Sequence, residues 1–333
     1  MSTPRVSVII RCCNEEEHIG RLLSGVLEQT HDNVEVVVVD SGSTDATLAI
    51  ASRYPVVVRH IRREDFSFGR SLNVGCAAAS GEYLLIASAH VYPVYRDWVT
   101  KMVAPFSDPE VAVVYGKQRG NELTKFSEHE VFEKLFPDHP AAAPSGYFCN
   151  NANCAVRRSQ WQEHPYDENL TGLEDLAWAR ARVQEGYRVV YQHEASVIHV
   201  HQERWSQVLN RYRREAIALR RIAPEERFGV VDFLRCFAGN AWSDARHAAA
   251  AGDLRHELPG ILAFRLMQFW GTYLGQRDTA TPSEDLKHTF YYPKRARPPV
   301  SHGPDAERRA ELRIPYATLG DGDDDALPPG NET

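Results

Sequence analysis

The sequence NVEVVVVDSGSTDAT, residues 33–47, contains the strand and the turn that decide the fold. Residues 34–39 form an almost unbroken β-branched run, which is typical of a strand buried on both faces of a parallel sheet. The run ends at Asp40, and the turn after it leads into a helix that Ser43 can cap and Asp45 can begin. Ligands of open α/β sheets bind beyond the carboxyl ends of the strands. Asp40 therefore either faces a ligand crevice or only caps its turn, and this stretch leaves both interpretations open.

Apolar strands and amphipathic helices alternate on both sides of this stretch. The β-α-β-α-β opening predicts right-handed crossovers and a Rossmann-like α/β fold, with a mostly parallel central sheet flanked by helices. From about residue 204 the pattern is helical up to residue 275. Residues 276–333 are rich in Pro, Arg and Asp, and we expect them to be extended and mobile.

Composition limits the function classes that fit the chain. Its 333 residues carry a formal net charge of -7 and are 43% hydrophobic, which is ordinary for a globular protein and argues against a nucleic-acid partner. The N-terminus lacks a signal peptide's basic start, and no apolar run approaches a membrane span. The six cysteines include no CxxC pair, so we expect reduced thiols, no zinc and a cytoplasmic protein.

Four polar side chains follow the first two predicted strands. Arg11 and Asn14 come after the first strand, and Asp40 and Asp45 come after the second. We expect them to line one nucleotide-sized slot, where a carboxylate accepts hydrogen bonds from a base N–H or from ribose hydroxyls. Neither GxGxxG nor GxxxxGKS/T occurs at these turns, which counts against a dinucleotide fingerprint and a P-loop.

Four sequence blocks, in this order, resemble the family 2 glycosyltransferases of GT-A fold. The resemblance extends over residues 4–214 and implies a GT-A fold with a helical C-terminal extension. A weaker likeness is to rhamnosyltransferase-like bacterial members that build cell-surface glycans. The blocks are PRVSVIIRCCNEEEHIGRLLSGVLEQT with VEVVVVDSGSTDATLAIA, FGRSLNVGCAAASGEYLLIASAH, GLEDLAWARARVQEGYRVVY and SVIHVHQ.

The resemblance implies transfer of a sugar from a nucleotide diphosphate sugar to a hydroxyl acceptor, with inversion at the anomeric carbon. A UDP- or dTDP-linked donor is preferred, and the acceptor is a glycan or a small metabolite. Asp40, with Ser41 beside it, falls where the family contacts the nucleotide base, and Arg11 and Asn14 belong to the same donor site. Arg70 lies in a segment that approaches the diphosphate, which a guanidinium binds well. Its alternative role is to cap a helix.

The resemblance also divides the chain. Residues 1–203 are expected to form the catalytic domain, with a donor half up to about 118 and an acceptor half from about 119. Residues 204–275 are expected to form a separate helical region. Its apolar and Arg-rich faces pack on the catalytic domain, form a homodimer contact, or rest on the inner face of a membrane.

The family's Asp-x-Asp metal motif is replaced here by Ser88-Ala89-His90. In the family, its carboxylates hold Mg²⁺ or Mn²⁺ against the donor diphosphate. Ser88 and Ala89 remain expected donor contacts, and His90 is a predicted metal ligand. Imidazole shifts the preference toward later transition metals. In a metal-free alternative, Arg70, Arg11 or a protonated His90 takes up the charge.

A second metal ligand is expected from the last block, which carries His199 and His201. The two histidines alternate along an extended segment, and we expect them to point to opposite sides. Only one of them is then expected to face a site with His90. The resemblance favours His201, and the alternative is a structural histidine.

The resemblance of the GLEDLAW block implies that Asp175 is the catalytic base, since an inverting displacement needs a carboxylate that removes the acceptor hydroxyl proton. Glu174 is expected to bind or position the acceptor. Acids at a helix start are also ordinary caps, which is the alternative for both.

Asn150, Tyr147 and Trp178 are the predicted acceptor residues. Aromatic faces stack on sugars and amides bind hydroxyls, although Asn150 and Tyr147 also suit a turn and Trp178 also suits the core. Two rival functions remain at this point. A sugar nucleotidyltransferase would need a Gly-rich basic loop that RCCNEEE does not provide, and a degenerate nucleotide-sugar sensor would bind a donor without turnover.

Overall fold

Eight strands form one mixed sheet with helices on both faces. The computed structural model describes residues 3–140, 146–278 and 313–316. The strands are β1 (Val6–Cys12), β2 (Val34–Asp40), β3 (Val56–His60), β4 (Tyr83–Ser88), β5 (Val91–Pro93), β6 (Val111–Arg119), β7 (Asn153–Arg157) and β8 (Arg188–His199). The helices are α1 (Ile19–Leu27), α2 (Thr47–Ala51), α3 (Phe68–Ala78), α4 (Trp98–Val103), α5 (Phe126–Leu135), α6 (Arg158–Glu163), α7 (Glu174–Gln184), α8 (Trp205–Ile222), α9 (Val230–Ala250) and α10 (Leu254–Arg277).

The strand β2 is buried on both faces, as its β-branched run predicts. Val36 and Val38 pack into the core on one side of the sheet, and Val37 and Val39 pack into the core on the other. Each fully buried side chain of this kind contributes about 1.5–3 kcal/mol relative to exposure. This double burial fits the position of β2, which lies between β1 and β3, both parallel to it, one strand in from the edge of the sheet.

The sheet runs in the order β3-β2-β1-β4-β7-β6-β8-β5. The pairings β1–β2, β2–β3, β1–β4 and β6–β8 are parallel, whereas β4–β7, β6–β7 and β5–β8 are antiparallel. The predicted α/β fold is confirmed, and the antiparallel strands confine the parallel region mainly to the first half. The strand β5 leaves its sequence neighbour β4 and pairs with the end of β8, where Val91 lies opposite His199.

Three long helices make up the predicted helical extension, and α10 runs closely along α8. Glycines on α10 allow this approach, because a Cβ added at Gly271 would lie 2.4 Å from the Leu209 carbonyl oxygen. The extension begins at α8, one residue from the predicted start at 204, and ends at Arg277 rather than at residue 275. The predicted mobile tail lies outside the described residues, apart from 276–278 and 313–316.

Residues 313–316 return to the sheet beside β5. The Ile314 amide donates to the Val94 carbonyl oxygen over 3.0 Å, and the Tyr316 hydroxyl donates to the Pro93 carbonyl oxygen over 2.8 Å. The Tyr316 ring also contacts Tyr92, with centroids 5.1 Å apart. These contacts attach a short piece of the C-terminal segment to the edge of the sheet.

Gly271→Ala is expected to lower the free energy of unfolding by about 1–3 kcal/mol, because the new methyl group overlaps backbone of α8. Gly260→Ala on the same helix is the control, since nothing lies within 4 Å of its added Cβ. There the gain in helix propensity should stabilise the protein by about 0.5–1 kcal/mol. Urea unfolding of both variants measures the difference, and equal effects would contradict this account of the α8–α10 contact.

The helices α9 and α10 expose several large apolar side chains, among them Val231 at 72% and Trp242 at 70% exposure. None of the helices within the described ranges is both long enough and apolar enough to cross a bilayer. The predicted dimer contact and membrane contact of this region therefore stay predictions.

Candidate active site

A cavity of about 720 Å³ opens at the carboxyl ends of the parallel strands. Its walls come from the residues after β1, β2 and β4, from the start of α7, from the end of β8 and from α8. This is the position where open α/β sheets bind their ligands. The size falls within the usual range of small-molecule sites, roughly 300–1,000 Å³.

The loops after β1 and β2 are held together at the cavity edge. Asn14 adopts a left-handed backbone with φ of 56°, which asparagine tolerates better than most residues. Its Oδ1 accepts a hydrogen bond from the Thr44 amide over 2.7 Å, and its own amide donates to the Ser43 hydroxyl over 2.9 Å. Asn14 lines the cavity as predicted, while Asp45 accepts from the Thr47 amide and holds the loop behind it.

Asp40 is buried, and its carboxylate accepts hydrogen bonds from the Gly42 amide over 3.0 Å and the Ser43 amide over 3.1 Å. It does not line the cavity, whereas Ser41 does. The structure thus gives Asp40 the capping role that the sequence left open, and contact with a nucleotide base stays a prediction. The Arg63 side chain, which the sequence analysis missed, lines the cavity and donates to the Gly42 carbonyl oxygen.

Arg70 is not brought to the cavity, contrary to the prediction that it meets the diphosphate. Its backbone amide donates to the Ser67 hydroxyl that caps α3, and its guanidinium lies 3.9 Å from the Glu168 carboxylate. The reason is that the adjacent Gly69 packs against the backbone of Asp167, which turns this part of α3 toward the loop around residue 168. The metal-free alternative therefore loses Arg70 as a source of positive charge.

Ser88, Ala89 and His90 all line the cavity at the end of β4. The His90 ring stacks on His199 with centroids 5.1 Å apart, and the His199 and His201 Nε2 atoms are 2.8 Å apart. The expectation that only one of these two histidines faces His90 is wrong. Residues two apart on an extended segment lie on the same face, so His199 at the end of β8 and His201 just after it turn to the same side.

Each histidine of this cluster has a polar partner on its other side. His90 Nδ1 lies 3.3 Å from Glu15 Oε1, His199 Nδ1 lies 2.7 Å from Gln118 Oε1, and His201 Nδ1 lies 2.6 Å from Glu128 Oε1. Burial lowers the pKa of His199 well below its ordinary value. Glu15, Gln118 and Glu128 were missed by the sequence analysis, because nothing in their local sequence relates them to residues about 75–80 positions away.

Neighbouring positive charge keeps the Glu128 carboxylate ionised. Burial opposes ionisation, but Arg211 and then His201 lower the pKa of its carboxyl well below the usual range. The Arg211 guanidinium donates to Glu128 Oε1 over 2.6 Å and also contacts Glu203 over 2.8 Å. The second potential metal cluster of the described residues, Glu128 with His201 and Glu203, thus already has an internal cation.

The predicted catalytic pair stands at the first turn of α7. Leu173 before it has a left-handed backbone with φ of 56°, which is strained for a branched residue and aims the following acids into the cavity. Asp175 Oδ2 accepts from the Asn151 amide and Oδ1 from the Leu176 amide, both over 2.8 Å. Burial, followed by the charge of Glu174, raises the pKa of Asp175 to about 7.

Glu174 accepts from Arg11 Nη1 over 3.0 Å, so the first strand and α7 meet across the cavity. The Phe68 ring lies between two guanidiniums, with Arg11 at 5.0 Å and Arg214 at 4.6 Å from its centroid. Arg214 belongs to α8, which lies beyond the predicted catalytic domain. The sequence analysis gave this helical region Arg-rich faces, but it gave no sign that α8 reaches the cavity.

The predicted acceptor residues divide between cavity and core. Asn150 lines the cavity, and its Oδ1 accepts from Gln118 Nε2 over 3.2 Å. Trp178 is buried and donates from Nε1 to the His164 carbonyl oxygen, so its acceptor role is wrong and its core role is correct. Tyr147 packs at the edge of the core under Arg180, outside the cavity lining.

Two solved structures have a similar fold. The mannosyltransferase PcManGT from Pyrobaculum calidifontis, solved with GDP-Man and Mn²⁺, matches with a TM-score of 0.60 and 20% identity over 84% of this chain and 89% of that one. S. aureus TarS 1–349 matches with a TM-score of 0.51 and 18% identity over 82% and 90%. The architecture is therefore the GT-A fold of glycosyltransferases.

Sequence comparison points to the same kind of protein. Residues 7–160 match the model of glycosyl transferase family 2, so this part of the chain is similar to that family. The O-antigen chain rhamnosyltransferases RfbN of Salmonella typhimurium and WbaN of Salmonella anatum are each 27% identical, over 59% and 56% of this chain. The matches span 67% and 62% of those relatives, so about two thirds of their length is covered.

Proposed function

We propose that the protein transfers a sugar from a nucleotide diphosphate sugar to a hydroxyl acceptor with inversion at the anomeric carbon, and that Asp175 is the base. The observation that carries the proposal is that two sets of residues face each other across one cavity. Residues at the ends of β1, β2 and β4 face a buried carboxylate pair at the start of α7. UDP- and dTDP-linked sugars remain the preferred donors, and a glycan or a small metabolite the preferred acceptor.

Asp175 suits proton removal because its pKa lies near the working pH. Its hydrogen bonds to two backbone amides fix the carboxylate while leaving lone pairs for an acceptor hydroxyl. The Arg11 guanidinium offsets the charge of Glu174. Together with Arg11, the two acids Glu174 and Asp175 therefore carry one negative charge less than two free carboxylates. Glu174 therefore orients the acceptor side and tunes the base.

A divalent metal fits the donor side through nitrogen rather than through carboxylate. Ser88-Ala89 provide no acid, but His90, His199 and His201 each offer a ring nitrogen within 4.8 Å of the others. These three residues would hold the ion, which when bound offsets the charge of the leaving nucleoside diphosphate. The role of Asp40 in this proposal is to hold the turn from which Ser41 faces the donor.

The direct test is a thermal-shift screen of UDP-, dTDP- and GDP-sugars, with divalent metal or with EDTA, followed by measurement of donor turnover. A ligand that binds the folded state raises the melting temperature by mass action. We expect at least one nucleotide sugar to raise it and to release its nucleoside diphosphate when acceptors are supplied. Binding without any turnover would favour the sensor, and no shift with any nucleotide would contradict the donor site.

Glu174→Gln is expected to move the acidic limb of the kcat/KM profile to lower pH. The substitution removes the neighbouring negative charge that raises the pKa of Asp175, and it leaves Arg11 free to lower that pKa further. Because the base acts when deprotonated, the variant should keep its activity into more acid solution than the wild type. Glu185→Gln, at the other end of α7, is the control and should leave the profile in place.

Two further parts of the proposal concern the rest of the chain. The division into donor half, acceptor half and helical region at residues 118, 203 and 275 is retained, with the addition that α8 lines the cavity. The exposed apolar side chains of α9 and α10 are the surface on which a dimer or a membrane contact would form. A cytoplasmic location is part of the same proposal.

A further inference from the structure

The His199 and His201 rings approach each other through their Nε2 atoms, which is not an ordinary contact between neutral side chains. Their Nε2 atoms are 2.8 Å apart, and the ring centroids are 4.0 Å apart at an angle of 67°. Which nitrogen carries the proton follows from the partner of the other nitrogen in each ring. The partners therefore decide whether this contact is a hydrogen bond.

The Gln118 side chain settles the tautomer of His199. Asn150 Oδ1 accepts from the Ala152 amide, so it is an oxygen, and Gln118 Nε2 donates to the same atom over 3.2 Å. Gln118 Oε1 then faces His199 Nδ1 over 2.7 Å, and an amide oxygen only accepts. His199 Nδ1 therefore carries the proton, and its Nε2 presents a lone pair.

The Glu128 carboxylate settles His201 in the same way. Arg211 and His201 both contact Glu128 Oε1, and an ionised carboxylate only accepts hydrogen bonds. His201 Nδ1 therefore also carries a proton. If both rings are neutral, two lone pairs meet over 2.8 Å, and this contact is resolved either by a proton on one Nε2 atom or by a metal ion bound beside both nitrogens.

We propose that His90, His199 and His201 form a three-imidazole centre for a late divalent transition metal of the Co²⁺, Ni²⁺ or Zn²⁺ class, rather than for Mg²⁺. Hard cations such as Mg²⁺ prefer oxygen ligands, whereas imidazole suits the later metals. Hydrogen bonds from the second ring nitrogen to a carboxylate or carbonyl are the usual support of metal-bound histidines. Two nitrogens on a tetrahedral zinc lie about 3.3 Å apart, so the pair opens by only about half an ångström on binding.

The centre differs from what the sequence indicated in two respects. His199 joins His90 and His201, and the absence of a CxxC pair does not exclude this metal class, because no thiolate is needed. The inference rests on the proposed function only for the role of the ion beside the donor diphosphate. Metal binding itself requires no nucleotide, so the two can be tested separately.

The test is equilibrium binding of Co²⁺, Zn²⁺, Mn²⁺ and Mg²⁺ to the full chain after removal of metal with a chelator. We expect one equivalent of Co²⁺ with visible d–d absorption and no sulfur-to-cobalt charge-transfer band, and competition by Zn²⁺ but not by Mg²⁺. A sulfur band would overturn the three-imidazole assignment, since Cys13 also lines the cavity. So would the absence of saturable Co²⁺ and Zn²⁺ binding, which would leave a shared proton between the rings.

Substitution of each ligand by glutamine should weaken Co²⁺ binding at least about ten-fold, and Glu128→Gln should weaken it by about 10–100-fold. His247→Gln is the matched control, because His247 Nδ1 also contacts a carboxylate, Glu130, at 2.7 Å but belongs to neither potential metal cluster of the described residues. If the glutamine variants bound Co²⁺ like the wild type, the assignment would be overturned. The wild-type cobalt spectrum decides the question even if a variant fails to fold. Intact metal binding without donor turnover would contradict the proposed function and leave this centre in place.

Discussion

Asp175→Asn is expected to lower kcat for sugar transfer by about 10²–10⁴-fold, the usual contribution of a general base. The amide cannot accept a proton from the acceptor hydroxyl, although it fills the same space at the start of α7. In the wild type, kcat/KM should rise with pH through about 7, because burial and Glu174 raise the pKa of the base and only the carboxylate is active. The acidic limb should disappear from the residual activity of the variant.

Asp232→Asn is the matched control, since Asp232 is also an acid in the first turn of a helix but lies outside the cavity. It should leave both the rate and the pH profile unchanged. A second measurement concerns stability: the pKa of Asp175 is raised in the folded state, so its contribution to stability is present at low pH and is lost as the pH rises toward 7. Asp175→Asn should therefore flatten this dependence. A variant with full transfer activity would exclude Asp175 as the base.

Asp244→Ala is expected to lower the free energy of unfolding by about 3–5 kcal/mol, because it leaves the Arg265 guanidinium buried without its counter-charge. Both side chains are almost completely buried. Arg265 donates to both carboxylate oxygens, over 2.7 and 2.9 Å, and the Ser127 hydroxyl donates to Oδ2 over 2.6 Å. This network joins α5, α9 and α10, and urea unfolding measures its loss.

The control is Arg235→Ala, which removes an exposed ion pair with Asp232 from the same helix. Exposed pairs contribute about 0–1 kcal/mol, so this variant should unfold nearly as the wild type does. The double variant Asp244→Leu with Arg265→Met replaces the pair by apolar side chains and should recover most of the stability. A cost below about 1 kcal/mol for Asp244→Ala would mean that water reaches the Arg265 site.

Local pattern was enough to predict the first strands, because the run before Asp40 needs burial on both faces whatever surrounds it. This prediction depends on residues a few positions apart. The donor-side loops at Arg11 and Asn14 were predictable for the same reason. The acid pair at Glu174 and Asp175 was predicted from the resemblance of its block, since acids at a helix start are by themselves ordinary caps.

The rest of the site depends on contacts between distant parts of the chain. Arg214 meets Phe68 only because α8 packs against the cavity, and Gln118 meets His199 only because β6 pairs with β8. Hydrophobic periodicity does not encode such pairings. The resemblance misjudged Arg70, because the neighbouring Gly69 packs on the backbone of Asp167 in a remote loop, a contact that the local sequence does not encode.

The position of β5 has a consequence for the order of folding. Because Val91 pairs with His199, the strand that follows His90 must wait for a partner more than 100 residues later in the chain. On a ribosome, the first half of the sheet can assemble while β5 still has no neighbour. The three histidines therefore come together only when β5 pairs with β8 at the edge of the sheet. During refolding in the presence of Co²⁺, the appearance of cobalt absorption would then report the last step of folding and not the first.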